Sequence, residues 1–188
     1  MTTTKRILST VLLIALIPFL FSFDLPKGWF RAGSKPKSYD MGIDQGSGQD
    51  GKNTATIKSI DKKINGFGTL MQSCLPGKYL GKRVRMSGYV KSKDVADKAG
   101  LWLRVDQANL KKPLSFDNML DRPIKGTTDW KKYEIVLDVP GHATNLAYGA
   151  LLVGTGQIWF DNLNFEIVDS NVPPTRDERE PVNLDFEK

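Results

Sequence analysis

Residues 132–139 read KYEIVLDV, in which Tyr133, Ile135, Leu137 and Val139 alternate with Lys132, Glu134 and Asp138. A period of two places those four apolar side chains on one face of a pleated strand, and Pro140–Gly141 stops it. The same signature recurs. Residues 83–91 set Val84, Met86, Gly88 and Val90 against Arg85, Ser87 and Tyr89, and residues 101–106 set Leu101, Leu103 and Val105 against Trp102, Arg104 and Asp106. Residues 145–153, NLAYGALLV, are apolar on both faces, as an interior strand is. Further strands are expected near residues 38–43, 54–60, 67–74, 114–119 and 154–168, with Gly- and Pro-containing turns between them and a loop with a helical turn at 94–100. About nine short strands with little helical periodicity predict an all-β fold, a two-sheet antiparallel β-sandwich of jelly-roll topology.

Residues 154–168, GTGQIWFDNLNFEIV, form the expected closing strand. Ile158 and Phe160 share one parity, whereas Leu163, Phe165 and Ile167 continue the opposite parity of Trp159 and Asp161. The apolar side therefore changes near Asp161–Asn162, which a β-bulge or a crossing between sheets would produce.

A chain of 188 residues supports one well-buried domain. Lys5 and Arg6 precede the apolar run 7–23, so residues 1–23 read as a secretory signal peptide or, uncleaved, as a membrane anchor. The β-sandwich is assigned to 24–168, and the charged, Pro-containing segment 169–188 to a flexible tail. This places the protein in a secreted or periplasmic location, or anchored and facing outward. In 24–168 there are 22 basic and 15 acidic residues, a balance of +7. No dense basic stripe accompanies it, so a solvated Lys-rich surface is expected and nucleic acid is not an expected partner. The single cysteine, Cys74, excludes an intrachain disulfide and reads as a small buried residue. The single histidine, His142, reads as a surface residue in a turn.

Residues 44–53, DQGSGQDGKN, formally contain a Gly-x-Gly-x-x-Gly pattern, but the following TATIKSI is β-prone and offers no helix N-terminus to a pyrophosphate. They read as a glycine-rich hairpin, in which Asp44 and Asp50 are available as oxygen ligands for calcium. No nucleophile elbow, metalloprotease helix or phosphate loop is present, and the chain is read as non-catalytic.

The best candidate ligand surface is the row Trp102, Arg104 and Asp106. An indole stacks on a sugar face while a neighbouring guanidinium and carboxylate bond hydroxyls. Tyr89 and Arg85, with Gln72 and the Asp117–Asn118 pair, are expected to line the same concavity. The competing reading makes Arg104 and Asp117 a structural ion pair with Trp102 packed over it. Exposed apolar residues beside Trp102 would favour an envelope protein partner, and a polar groove with one open aromatic would favour a glycan.

The blocks GFGTLMQ (66–72), YLGKRVRMSGYVKS (79–92), GLWLRVD (100–106), FDNM with DRPIKGTTDWKKYEIVLDVP (116–140), and GALLVGTGQIWFDNLNFEIV (149–168) resemble a bacterial jelly-roll family of the galactose-binding-like superfold, in which carbohydrate-binding modules also fall. The resemblance extends to domains attached to AraC-type transcriptional regulators, and it spans about residues 27–168. It implies a binding or sensory domain, although nothing in the chain resembles a helix-turn-helix. By the same resemblance Asp161, on the last strand, would join Asp44 or Asp50 at a structural calcium ion. The alternative is that Asp161 is satisfied by backbone N–H groups or by an arginine such as Arg31.

Overall fold

The computed structural model describes residues 22–175. The expected leader therefore lies outside the described residues, save for its last two positions. Nine strands are described: β1 (Phe30–Gly33), β2 (Tyr39–Asp44), β3 (Thr54–Ser59), β4 (Phe67–Cys74), β5 (Lys82–Asp106), β6 (Ser115–Asp117), β7 (Ile124–Val139), β8 (Asn145–Val153) and β9 (Gln157–Val168). Two single 3₁₀ turns, Pro36–Ser38 and Gly77–Tyr79, are the helical elements among the described residues.

The 25-residue β5 organises the pairing. Its residues 82–93 pair with β7 and β9, whereas residues 98–106 pair with β8 and β6, always antiparallel. One strand thus belongs to two layers: a first layer ordered β1-β4-β8-β5-β6 and a second ordered β2-β3-β9-β5-β7. The expected loop at 94–100 is instead the bend of this strand. Register shifts between Val90, Ser92, Val95 and Ala99 against β7, with Asp94 at φ 52°, turn the chain while Val95 and Ala99 keep partners in Gly126 and Ile124. Bulges turn a strand without breaking it, so this reversal needs no Gly-Pro signal.

Between the layers, Leu70, Leu101, Leu103 and Leu152 meet Met41, Ile57, Met86, Ile135 and Ile158 in one fully buried cluster. Burying such side chains stabilises by about 1.5–3 kcal/mol each. Trp29 closes one end of it edge-on against Tyr148, with ring centroids 5.9 Å apart. Its neighbour Phe30 is exposed on β1. Cys74, expected to be buried, is exposed at the end of β4. It is the last residue of that strand, beyond the core rows. The glycine-rich hairpin is present: residues 45–53 join β2 to β3, whose register runs from Tyr39–Ser59 to Asp44–Thr54.

The parity switch in β9 is also present. Ser87 pairs with Asn164 and Tyr89 with Asp161, a bulge centred on Asn162 at φ 52°. It returns Leu163 to the core side, where Gly88 leaves room for it: a Cβ on Gly88 would stand 2.4 Å from Leu163 Cδ2. The described part of the expected tail, residues 169–175, is docked. Arg83 Nη1 donates to the carbonyls of Ser170 and Val172 at 2.6 and 2.8 Å, and Thr175 N donates to Val136 O at 3.0 Å.

Candidate functional site

The outward face of the first layer is a cleft of about 600 Å³. Its shape follows from the register. Across the strands run the rows Arg104–Ala147–Ser73, Trp102–Gly149–Met71, Gly100–Leu151–Thr69 and Lys98–Val153–Phe67. Small residues, Ala147, Gly149 and Gly100, occupy outward positions along the middle. Larger ones, including Phe116 of β6 and Phe67 of β4, stand at the margins.

Trp102 forms the floor. Its indole N–H donates to Thr69 Oγ1 at 2.9 Å, and that hydroxyl donates to Ala150 O at 2.7 Å. Thr69 lies two strands away, so the ring crosses β8, where Gly149 is the residue paired with Trp102. Trp102 is 6% exposed. The expected open stacking platform is therefore a buried floor, and the accessible aromatic surface belongs to Phe67 and Phe116.

Arg104 lines the cleft with its Nε held 3.0 Å from Asp106 Oδ1 and 3.1 Å from Oδ2. Asp106 also accepts from Asn145 Nδ2 at 3.1 Å. The cleft further gathers Lys98, Asn65 and Asn118, whose Oδ1 is buried without a hydrogen-bond partner.

The other expected ligand residues go elsewhere. Asp117 does not pair with Arg104. It is fully buried and accepts from Met119 N at 2.8 Å, Arg122 Nη2 at 2.6 Å and Thr175 Oγ1 at 2.6 Å. Asp117 ends β6 with its side chain buried, and of the Asp117–Asn118 pair only Asn118 lines the cleft. Arg85 and Tyr89 lie on the part of β5 that belongs to the second layer. Arg85 there bridges Glu134 and Glu166. Gln72 accepts a hydrogen bond from Tyr148 O–H, at the Trp29 end of the core. Phe67, Thr69 and Met71 were missed, although their shared parity on the expected strand 67–74 was a usable signal. Phe116 shares the parity of Asn118 on the expected strand 114–119, and Lys98 carried no signal.

The three aspartates expected at calcium are not assembled into one ligand set. Asp44 Oδ2 accepts from the Trp159 indole at 2.7 Å, and Asp50 pairs with Lys52 at 2.9 Å. Asp161 Oδ1 accepts from Asn162 N at 2.7 Å, the backbone alternative, while Arg31 instead donates to Met41 O. Asp161 Oδ2 does face the hairpin, converging with the Lys52 and Asn53 carbonyls on the space a Gly48 Cβ would fill. Among the described residues no three His, Cys, Asp or Glu side chains stand where they could share a metal ion. Lys52, whose ammonium bonds Asp50, supplies a positive charge beside the Asp50 and Asp161 carboxylates.

No family model matches the chain. It is 46% identical over 169 residues to the uncharacterized HTH-type transcriptional regulator YbfP of Bacillus subtilis (strain 168), a match covering 86% of this chain and 57% of that protein. The chain thus spans little more than half of that curated relative. In structure it is similar to the CBM22-1 xylan-binding domain of Paenibacillus barcinonensis Xyn10C, with a TM-score of 0.56, 14% identity and coverage of 78% of this chain and 89% of that one. It is also similar to the CBM22-1–GH10 modules of Clostridium thermocellum Xyn10B, with a TM-score of 0.56, 12% identity and coverage of 76% and 26%. A Stig cyclase, Fisc from Fischerella sp. TAU, gives a TM-score of 0.52 at 14% identity, covering 80% and 91%. At these identities the likeness shows the fold, a jelly-roll sandwich of the carbohydrate-binding-module type, and fold alone does not carry activity.

Proposed function

We propose that this chain is a non-catalytic binding module that holds a glycan in the first-layer cleft, outside the cytoplasm. The observation that carries this reading is the cleft itself: an apolar trough of oligosaccharide size with a few converging polar groups, Arg104, Lys98, Asn118 and Asn65. Phe67 and Phe116 supply apolar surface for sugar C–H faces. Glycoside hydrolysis would need two carboxylates across the scissile bond, and neither Asp nor Glu is among the residues lining the cleft. The xylan-binding and xylohexaose-bound neighbours support a glycan as the class of ligand.

Affinity electrophoresis of the wild-type domain through a panel of plant and microbial polysaccharides tests this. Retardation by at least one polymer is expected, weakened about tenfold in a still-folded Phe116→Ala variant. Failure to bind any polysaccharide overturns the reading and leaves a protein partner on the same apolar margins.

A second reading is a sensory domain, favoured by the 46% identity to a protein named as a transcriptional regulator. A sensor responds to small soluble ligands. Binding of mono- or disaccharides as tightly as of polymers would support it over a module that grips polysaccharide.

A further inference from the structure

Resting on the glycan reading of the cleft, we infer that its ligand is acidic. The site is built to take a sugar carboxylate on the terminal nitrogens of Arg104. The ionisable side chains lining the cleft, Lys98 and Arg104, are both cations. Asp106 engages Arg104 only through Nε, and among the described residues neither terminal nitrogen of that guanidinium is bonded to a protein acceptor. A guanidinium gripped on one side presents its remaining N–H groups as a fixed fork, the geometry that receives a planar carboxylate through two parallel hydrogen bonds. The grip is itself held, because Asn145 Nδ2 donates to the Asp106 carboxylate from β8. Asp106 and Asn145 are therefore positioning residues, and Asp106 is not a sugar ligand as the sequence led us to expect.

The second cation extends the argument from one sugar to a polymer. Lys98 and Arg104 are six residues apart on the same face of β5, their backbones about 20 Å apart at strand rise. At 0.15 M salt, exposed charges separated by more than about 8 Å are screened from one another. The two cations thus act on different units of the ligand, and a polymer with repeated carboxylates meets both. A uronic-acid polymer has that repeat. The apolar margins at Phe67 and Phe116, and the unpartnered Asn118 Oδ1 as acceptor for a hydroxyl, provide for the uncharged parts of the same units.

The test is affinity electrophoresis at 0.15 M NaCl through polygalacturonate and alginate, their carboxyl-reduced forms, neutral xylan and dextran sulfate. Binding to at least one uronate polymer is expected to be tenfold or more tighter than to its reduced form. Arg104→Lys, which keeps the charge and loses the fork, is expected to abolish that preference. Asp106→Asn raises the net charge by one yet is expected to weaken uronate binding, whereas simple charge attraction would strengthen it. Variants are compared only where the melting temperature stays near that of the wild type, and Asn145→Ala stands in for Asp106→Asn if the latter unfolds. Equal binding of the acidic and reduced forms, or binding of neutral xylan alone, overturns the acidic ligand while the glycan reading stands. Equal binding of dextran sulfate, indifferent to Arg104→Lys, overturns it as charge attraction only. Failure of every polymer removes the glycan reading and this inference together.

Discussion

Asp117 shows how far a residue's role depends on its partner. Its carboxylate is removed from water and satisfied by an amide, a guanidinium and a hydroxyl, from Met119, Arg122 and Thr175. Arg122 would keep Asp121, but neutralising Asp117 weakens three hydrogen bonds to a buried charge at once. Asp117→Asn is expected to lower stability by about 3 kcal/mol in urea unfolding, and Thr175→Ala by about 2 kcal/mol, the worth of a hydrogen bond to a charged group. Tyr39 offers a pH-dependent counterpart. Burial pushes its hydroxyl from 10.0 up to about 12, while its O–H donates to Gly154 O at 2.9 Å. The folded state therefore keeps a proton that the unfolded chain loses, so stability falls as pH rises from about 10 to 12. Denaturation midpoints across that range are expected to drop for the wild type and to drop less in Tyr39→Phe. Polar contacts of this kind leave no trace in hydrophobic patterning, which is why the sequence offered Asp117 as a cleft residue or as a partner of Arg104 and gave no sign of Arg122.

At the scale of elements, the close approaches lie where strands exchange small residues for large ones. An added Cβ at Gly149 would stand 2.3 Å from the Leu70 carbonyl, in the sheet beneath the Trp102 ring, and one at Gly88 would meet Leu163. Overpacking at such sites costs about 1–3 kcal/mol. Gly149→Ala is expected to reach that range because backbone cannot yield. Gly88→Ala falls lower in it because the Leu163 methyl can move. Gly141→Ala, with nothing within 4 Å, is expected to change thermal stability by less than about 0.5 kcal/mol. The bulge in β9 was legible because its apolar residues change parity at Asp161–Asn162. The bend of β5 was not, because Asp94, Val95 and Ala96 read as ordinary loop residues until their partners on β7 are known. The docking of residues 169–175 was hidden for a similar reason: Arg83 holds carbonyls, which every residue has.

For the whole molecule, a ligand that binds only the folded state raises stability by about 2.7 kcal/mol at a hundred times its dissociation constant. For a domain of this size that is a rise in melting temperature of roughly 5 °C or more. Scanning calorimetry with uronate polymer at about a hundred times the wild-type dissociation constant is expected to show that rise in the wild type and only about half of it in Arg104→Lys, whose binding is about tenfold weaker. The sequence by itself determined the class of fold. Alternation with period two, repeated between Gly and Pro turns, buries its apolar faces in an all-β fold of antiparallel sheet, and it also placed Trp102 and Arg104 on one outward row. What only the tertiary structure decided is which other residues share that row. A cleft is formed by residues side by side across strands, and strand order and register set that adjacency. Thus Phe116 and Lys98 entered the cleft, Tyr89 and Arg85 went with the other arm of β5 to the second layer, and Asp106 became the group that aims Arg104.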